Sequence, residues 1–178
     1  MGSYLYQRGR NRLLFGPVSG LCTVISILPF NIKGYILGGD TGSKTAVIED
    51  LLCSNETSAA IAATLDTAKS VGAGVNSSAK GYILGGHTVA TMVNVIEDLN
   101  FSNESSAAIT ATLDAAKELD GAGVNSSVKG YILGGHTAAT MLSVIEDLNF
   151  SNETSAAIAA TLDTAKRAGA GVQSGGIL

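Results

Sequence analysis

The sequence predicts an all-β protein built from repeated units of short strands. Three observations predict this class: a segment that recurs three times, apolar runs of strand length within each copy, and 22 glycines among 178 residues. Glycine at this frequency marks many turns and close backbone approaches. Short apolar runs that alternate with turns are typical of β-sheets.

The recurring segment starts with KGYILGG or a near copy at Lys33, Lys80 and Lys129, so the copies are 47 and 49 residues apart. The copies agree through VIEDL, SNE(T/S)SAAI, ATLD(T/A)AK and GAGV. Their lengths differ after the Gly-Gly pair and after the AK pair, and insertions belong in loops. The repeat therefore predicts one structural unit per copy, with loops at those two places.

Each copy contains four predicted strands. YILGG is an apolar run that stops at a turn, and VNVIEDLNF is a strand with an irregularity at its acidic pair. SNES has turn chemistry, SAAIAATL is a third strand, and GAGVNSS is a fourth strand of small residues. A helix is the alternative for SAAIAATLDTAK, since it begins with a Ser cap signal and is rich in Ala. Four short segments per copy, each bounded by turns, favour the strand.

Four strands in a repeat of this length are typical of a β-propeller blade. The copies resemble kelch-like β-propeller repeats in YILGG, VIEDLNFSNET, LDTAK and GAGV, over residues from about 33 to 174. They depart from that family in lacking its usual Tyr and Trp after the Gly-Gly pair, and Lys69, Lys117 and Lys166 replace its usual Arg. The resemblance implies a β-propeller-like array of four-stranded blades, with GAGV next to the axis where bulky residues would not fit.

The predicted blades begin at the small-residue strand. They span about residues 20–69, 72–117 and 121–166, and an extra strand follows at 168–174. The first blade takes its inner strand from GLCTVISI. Residues 1–32 are thus a divergent N-terminal segment that contributes a strand, and residues 33–178 hold the repeats.

Three blades and a loose strand predict closure by self-association, because closed propellers typically have four to eight blades. We expect a homodimer that completes a ring of six to eight blades. Two alternatives stay open. Residues 4–15 could pair with the extra strand within one chain, or an open stack could grow head to tail into a filament.

The N-terminal segment carries Arg8, Arg10 and Arg12 before an apolar run from Leu13 to Phe30. This resembles the basic and apolar regions of a signal peptide, which would imply secretion, or of an anchor. Glycines and a proline interrupt the run, and it is marginal for a membrane span of about 20 residues. Two strands, LLFG and GLCTVISILPF, are favoured over a membrane span, and the cellular location stays open.

The charge pattern bounds the partners. The net charge of −4 disfavours a general attraction to nucleic acid. Only 15% of residues are charged, against about a quarter in soluble domains, so the surface is rich in small polar residues or is buried against another chain.

Cys53 stands at the repeat position of Phe101 and Phe150, which predicts a small apolar core residue.

The candidate binding residues follow the Gly-Gly pair of each copy, in loops 40–46, 87–94 and 136–143. We expect them on one rim of the array, where a ring of ligands is one interpretation and turn capping through the threonines is the favoured one. Copies a blade apart are too distant to share one ion, so no metal site is predicted. The candidates are Asp40, Thr41, His87, Thr88, His136 and Thr137.

Paired carboxylates recur at 49–50, 97–98 and 146–147. Adjacent residues of a strand point to opposite faces, so the two acids of a pair do not converge, and a solvated strand edge is the favoured interpretation. The glycines are not followed by the Lys-Ser/Thr of a phosphate loop, and the sequence has neither a nucleophile elbow nor a Cys/His metal spacing. The sequence predicts no enzyme and no cofactor.

These observations predict a non-enzymatic scaffold or binding protein. Rim loops repeated in nearly identical form suit multivalent contact with a protein or a glycan. The alternative is a purely structural protein whose repeats assemble into a ring or filament without a small ligand.

Overall fold

The structure, a computed structural model, describes residues 32–119 and 123–172 together with four two-residue strands that precede them. Every regular element in this part of the chain is a β-strand. This confirms the predicted all-β class and shows that the helix considered for SAAIAATLDTAK is wrong, because β7 (Thr57–Thr64), β11 (Ser105–Thr112) and β15 (Thr154–Thr161) occupy those positions.

Three sheets follow the three copies of the repeat, and within each sheet the strands are neighbours in their sequence order. The first sheet holds β5 (Lys33–Asp40), β6 (Lys44–Leu52) and β7. The second sheet holds β8 (Ala73–Asn76), β9 (Lys80–Leu84), β10 (Val95–Asn100) and β11. The third sheet holds β12 (Gly123–Asn125), β13 (Lys129–Leu133), β14 (Val144–Asn149) and β15.

The second and third sheets are antiparallel throughout and share one register. Tyr82 lies between Val75 and Asp98 in the second sheet, and Tyr131 lies between Val124 and Asp147 in the third. A register shift falls just before the acidic pair, between residues 95 and 97 and between residues 144 and 146. The irregularity predicted at that point is therefore present.

The Gly-Gly pair ends the second strand of these two sheets. Gly85 and Gly86 have φ values of 61° and 108°, in the left-handed region that favours glycine. A Cβ on Gly85 would lie 2.8 Å from the carbonyl oxygen of Lys117. The pair thus brings the loop that carries Lys117 against the end of β9.

The chain divides into two compact units, one of residues 1–34 with 51–58 and the other of residues 35–50 with 59–178. In the first unit, β1 (Leu13–Leu14) pairs with β4 (Ile25–Ser26), and β2 (Pro17–Val18) pairs with β3 (Leu21–Cys22). The predicted inner strand of the first blade therefore falls on β3 and β4, two short strands that pair with β2 and β1. Most of residues 1–31 lie outside the described residues.

The core of the second unit lies on both faces of the second sheet, because side chains alternate along a strand. On one face, Ile83 and Leu99 pack with Ile48 and Leu65. On the other face, a larger cluster joins the second sheet to the third. That cluster contains Ala73, Val75, Tyr82, Leu84, Ile96, Leu113, Leu119, Ile132 and Leu148.

The small-residue segments of successive copies approach each other through backbone. A Cβ on Gly123 would lie 2.2 Å from the carbonyl oxygen of Gly74, and a Cβ on Gly171 would lie 2.1 Å from that of Gly123. Residues 168–172 therefore follow β12 in the same way as β12 follows β8. The extra strand predicted at 168–174 is wrong in its described part, because residues 168–172 form no regular strand and Ala168 has a φ of 57°. Residues 173 and 174 lie outside the described residues.

Candidate interface between neighbouring sheets

The paired acids divide between the two faces of each strand. Glu97 of β10 lies opposite Ile83 in the register, on the face that packs against the first sheet. Asp98 lies opposite Tyr82, on the face that packs against the third sheet. The prediction that the two members of a pair do not converge is confirmed. The predicted solvated edge is wrong for the second and third copies, because Glu97, Asp98, Glu146 and Asp147 are buried. In the first copy Glu49 is exposed, as predicted.

Buried ion pairs join successive copies. Lys69 follows β7, and its Nζ lies 2.7 Å from Oε1 of Glu97 with both side chains 1% exposed. Lys117 follows β11 and pairs in the same way with Glu146, again with both side chains 1% exposed. The lysine of one copy thus neutralises the glutamate of the next copy, as burial of these charges requires.

Backbone amides complete the coordination of each glutamate. The N–H of Asp66 donates to Oε2 of Glu97 at 2.6 Å, and the N–H of Asp114 donates to Oε2 of Glu146 at 3.0 Å. The Asp side chain of the first loop reaches onward as well, since Oδ2 of Asp66 accepts from the N–H of Ala108 at 3.1 Å. The LD(T/A)AK turn therefore contacts the next sheet through both main-chain and side-chain hydrogen bonds.

A second polar cluster bridges the second and third sheets. The ammonium of Lys80 lies 2.6 Å from Oδ2 of Asp98 and 2.7 Å from Oε1 of Glu153, and the hydroxyl of Tyr82 donates to the same Glu153 oxygen at 3.1 Å. Burial and the negative charge of Glu153 raise the pKa of Tyr82 to about 12. The hydrogen bonds to Asp98 and Glu153 raise the pKa of Lys80. The cluster keeps both donors protonated.

Aromatic pairs stack across the same two junctions. Tyr35 stacks on Phe101 with ring centroids 5.4 Å apart, and Tyr82 stacks on Phe150 at 5.6 Å. The hydroxyl of Tyr35 donates to Oε1 of Glu104, as that of Tyr82 does to Glu153. One set of contacts therefore recurs at both junctions between successive copies.

The glutamate position of the first copy and the lysine position of the third copy have no partner of this kind in the part of the chain that the structure describes. Glu49 stands where Glu97 and Glu146 stand, and it is exposed. Lys166 stands where Lys69 and Lys117 stand, and it is exposed too. Among the described residues, no side chain pairs with the charged group of either.

The candidate binding residues that follow the Gly-Gly pairs of the second and third copies lie in turns closed by hydrogen bonds within the turn itself. The hydroxyl of Thr88 donates to the carbonyl of Thr91 at 2.9 Å and accepts from the N–H of Thr91 at 3.1 Å. Thr137 makes the equivalent pair of bonds with Thr140 at 3.3 and 3.2 Å. The threonines thus cap their own turns, in the manner that the sequence favoured.

The first copy builds its turn differently. Oδ1 of Asp40 accepts from the N–H of Gly42 at 2.9 Å, and Oδ2 lies 2.7 Å from Nζ of Lys44. The hydrogen bond from Lys44 and, to a smaller extent, that from Gly42 lower the pKa of Asp40. Thr41 donates weakly to the carbonyl of Ser43 at 3.4 Å. Asp40 is therefore held within its own loop.

The two histidines occupy equivalent backbone positions. His87 forms β-bridges with Ser70 and Met92, and His136 forms them with Glu118 and Met141. Nδ1 of His136 is buried and has no hydrogen-bond partner among the described residues. Within that part of the chain, no three His, Cys, Asp or Glu side chains form a group that could hold a metal ion. It also holds no helix long and apolar enough to cross a membrane.

Comparison with known proteins gives a likeness of fold alone. No protein-family model matches the sequence. A search of curated proteins also found no match. A solved structure described as "Structure of YjhT" matches with a TM-score of 0.61 at 8% identity, over 87% of this chain and 60% of that chain. The chain therefore spans less than two thirds of that protein's length.

Sequence reasoning missed the lysines and glutamates as interface residues. The sequence pattern identifies Lys69 and Lys117 only as replacements for an arginine, and it predicts the glutamates at a solvated strand edge. The signal that could have found them is their recurrence: both internal Lys–Glu pairs join residues at equivalent positions of successive copies. A charge of each sign that recurs once per repeat is what a self-complementary junction requires.

Proposed function

We propose that this chain is a non-enzymatic scaffold or binding protein that self-associates through its end sheets to complete a β-propeller. The observation that carries the proposal is the Lys–Glu contact, which is buried at both internal junctions and left open at both ends. Each end presents one half of a contact that the other end can complete.

Apolar side chains at the two ends support the same conclusion. Ile36 is 61% exposed, whereas Ile83 and Ile132 at the same repeat position are 6% and 0% exposed. Val172 is 90% exposed, whereas Val75 at its repeat position is 4% exposed. Large apolar groups that are exposed in an end copy and buried in an internal copy are typical of interaction surfaces.

The rim turns support the binding role. Thr88 and Thr137 hold two turns of the same geometry, one per copy, and copies of the chain in an assembly multiply them. Several weak sites at fixed spacing bind a repeating ligand through avidity. A protein or a glycan with repeated units is the partner class that such a surface fits.

A purely structural role is the second candidate. The lysine at one end and the glutamate at the other, both without a partner among the residues described, favour it equally. A contact between two different faces of identical chains closes into a ring only at the right rotation and otherwise grows into a filament. In that case assembly is itself the function, and the rim turns bind no ligand.

Light scattering on a sizing column tests the self-association directly. We expect a discrete oligomer for the ring and a large polydisperse species for the filament. A monomer at every concentration would contradict both. Binding to an immobilised glycan panel then separates the scaffold from the purely structural protein, with a variant carrying Thr88→Ala and Thr137→Ala as the control for the rim turns.

A further inference from the structure

We infer that the third sheet of one copy docks on the first sheet of a second copy, with Lys166 of the one paired to Glu49 of the other. The inference rests on the proposed self-association and specifies its contact. The contact is head to tail, so each copy uses two different faces. It repeats the junction that already joins the second sheet to the third.

The donor side is already built in the third sheet. The N–H of Lys166 donates to the carbonyl of Leu142 at 3.1 Å, and its own carbonyl accepts from Gly135 at 2.9 Å. At the internal junction Lys117 makes the same two bonds, with Val93 at 3.3 Å and Gly86 at 2.9 Å. The main chain that aims the buried ammonium of Lys117 therefore holds Lys166 in the same way, before any partner is present.

A second lysine on that side has an unfilled contact. The ammonium of Lys80 reaches Asp98 in its own sheet and Glu153 in the next sheet. Lys129, at the same repeat position, pairs with Asp147. Among the described residues no second carboxylate reaches it. The third sheet thus presents two cations where the second sheet has matched both with acids of its neighbour.

The acceptor side is the outer face of β5 and β6. Side chains alternate along β6, so Ile48 points into the core and Glu49 points to the other face, where it is exposed. Ile36 of β5 stands at the repeat position of Ile83, the register partner of Glu97, and Glu49 stands at the repeat position of Glu97. This face carries one acid and one large apolar side chain in the arrangement that the second sheet offers to the first.

A second copy is the occupant that these features favour. The two faces belong to one chain and are opposite in charge at the position where both internal junctions place a buried ion pair. Ile36 of the second copy would meet Ile145 and Leu162, the counterparts of Ile48 and Leu65, which pack against Ile83 at the internal junction. The charges, the apolar side chains and the main-chain placement of Lys166 all match those of the internal junctions. A second copy of the chain carries all the residues that such a junction needs.

Charge reversal tests the contact. Lys166→Glu places two acids at the junction and Glu49→Lys places two lysines there, so each variant alone should lose the oligomer. An equimolar mixture restores an opposite pair at every junction when the two variants alternate. The glutamate introduced at position 166 meets the lysine introduced at position 49 at one junction, and the native Lys166 and Glu49 meet at the next. We expect light scattering to give monomers for each variant and the wild-type mass for the mixture.

The matched control is Arg167→Glu, a charge change of the same size at the neighbouring residue, whose guanidinium lies 4.0 Å from Glu118. This variant should keep the wild-type mass. Positions 49 and 166 are exposed, so circular dichroism should show the wild-type fold for both variants. A further variant, Val172→Asp, weakens the docking face without touching the ion pair and should also lower the mass.

The outcomes separate the two proposals. A wild-type oligomer that both reversed variants retain would overturn the Lys166–Glu49 contact and leave self-association standing. Two monomeric variants whose mixture stays monomeric would overturn the pairing as well. A wild-type chain that is monomeric at every concentration would overturn self-association and the contact together. A filament that dissolves in each variant and returns in the mixture supports the contact and assigns it to open growth.

Discussion

Lys117 and Lys166 stand at the same position of successive copies and end the nearly identical segments LDAAK and LDTAK. Their main chains make the same hydrogen bonds, yet Lys117 is buried in an ion pair and Lys166 is exposed. The local sequence and the local fold are therefore equal, and only the neighbouring sheet differs. Burial of these lysines is a property of the junction between copies, and the segment alone does not determine it.

The largest expected difference between the two sites follows from removing the charge. Lys117→Met leaves Glu146 buried without a cation and should lower the free energy of unfolding by about 3–5 kcal/mol. Lys166→Met, measured by urea denaturation at low protein concentration, should change it little, because Lys166 is exposed. Equal losses at the two sites would contradict the comparison.

The double variant Lys117→Met with Glu146→Leu sharpens the same test. It removes both charges and fills the site with apolar groups, so it should recover part of the stability that Lys117→Met loses. The recovery is incomplete because the N–H of Asp114 loses its acceptor on Glu146. A double variant no more stable than the single variant would show that the ion pair itself contributes the stability.

The glycines of the small-residue segments give a second, smaller contrast. A Cβ on Gly123 would collide with the carbonyl oxygen of Gly74 at 2.2 Å, whereas a Cβ on Gly74 meets nothing within 4 Å. Gly123→Ala should cost about 1–3 kcal/mol through overpacking, and Gly74→Ala should be neutral or slightly stabilising. Thermal denaturation of the two variants measures the difference, and equal melting temperatures would argue against close backbone packing at this junction.

Alkaline pH should weaken the junction between the second and third sheets. The pKa of Tyr82 is raised to about 12, so the folded state keeps its proton while the unfolded state loses it near pH 10. Stability from this group is therefore complete below about pH 10 and is lost as the pH rises towards about 12. Denaturation of the wild type and of Tyr82→Phe across this range isolates the effect, since the variant lacks the ionising group. A difference between the two proteins that does not change with pH would contradict the assignment.

The smallest effect belongs to the exposed turn of the first copy. Lys44 lowers the pKa of Asp40 through a hydrogen bond, but the carboxylate is solvent-exposed and such ion pairs contribute little to stability. Asp40→Asn should leave the denaturation midpoint at neutral pH unchanged within measurement error. A loss as large as that of Gly123→Ala would show that this loop has a structural role beyond its own turn.

The strands of the repeats were predictable, because each is a short apolar or small-residue run closed by turn residues. Three of the four strands recur in all three copies, and the small-residue strand recurs in two. The irregularity before Glu97 was predictable for the same reason. The burial of Lys69 and Glu97 was not, since single charged residues in polar segments are normally solvated. Their partners lie one repeat away and appear only when two sheets are placed side by side. The rim turns were predicted correctly as turns, because a threonine after Gly-Gly has a local hydrogen bond to make.

The Lys–Glu contact that recurs between successive copies has a consequence for how such a chain can change over evolutionary time. Each copy carries an acid for the sheet before it and a base for the sheet after it, so a duplicated copy fits its neighbours at once without compensating mutations. Loss of one copy by recombination would likewise leave a matched junction. Duplication or loss can therefore change the number of copies while a single set of contacts is preserved, within the range of about four to eight blades that a closed ring allows.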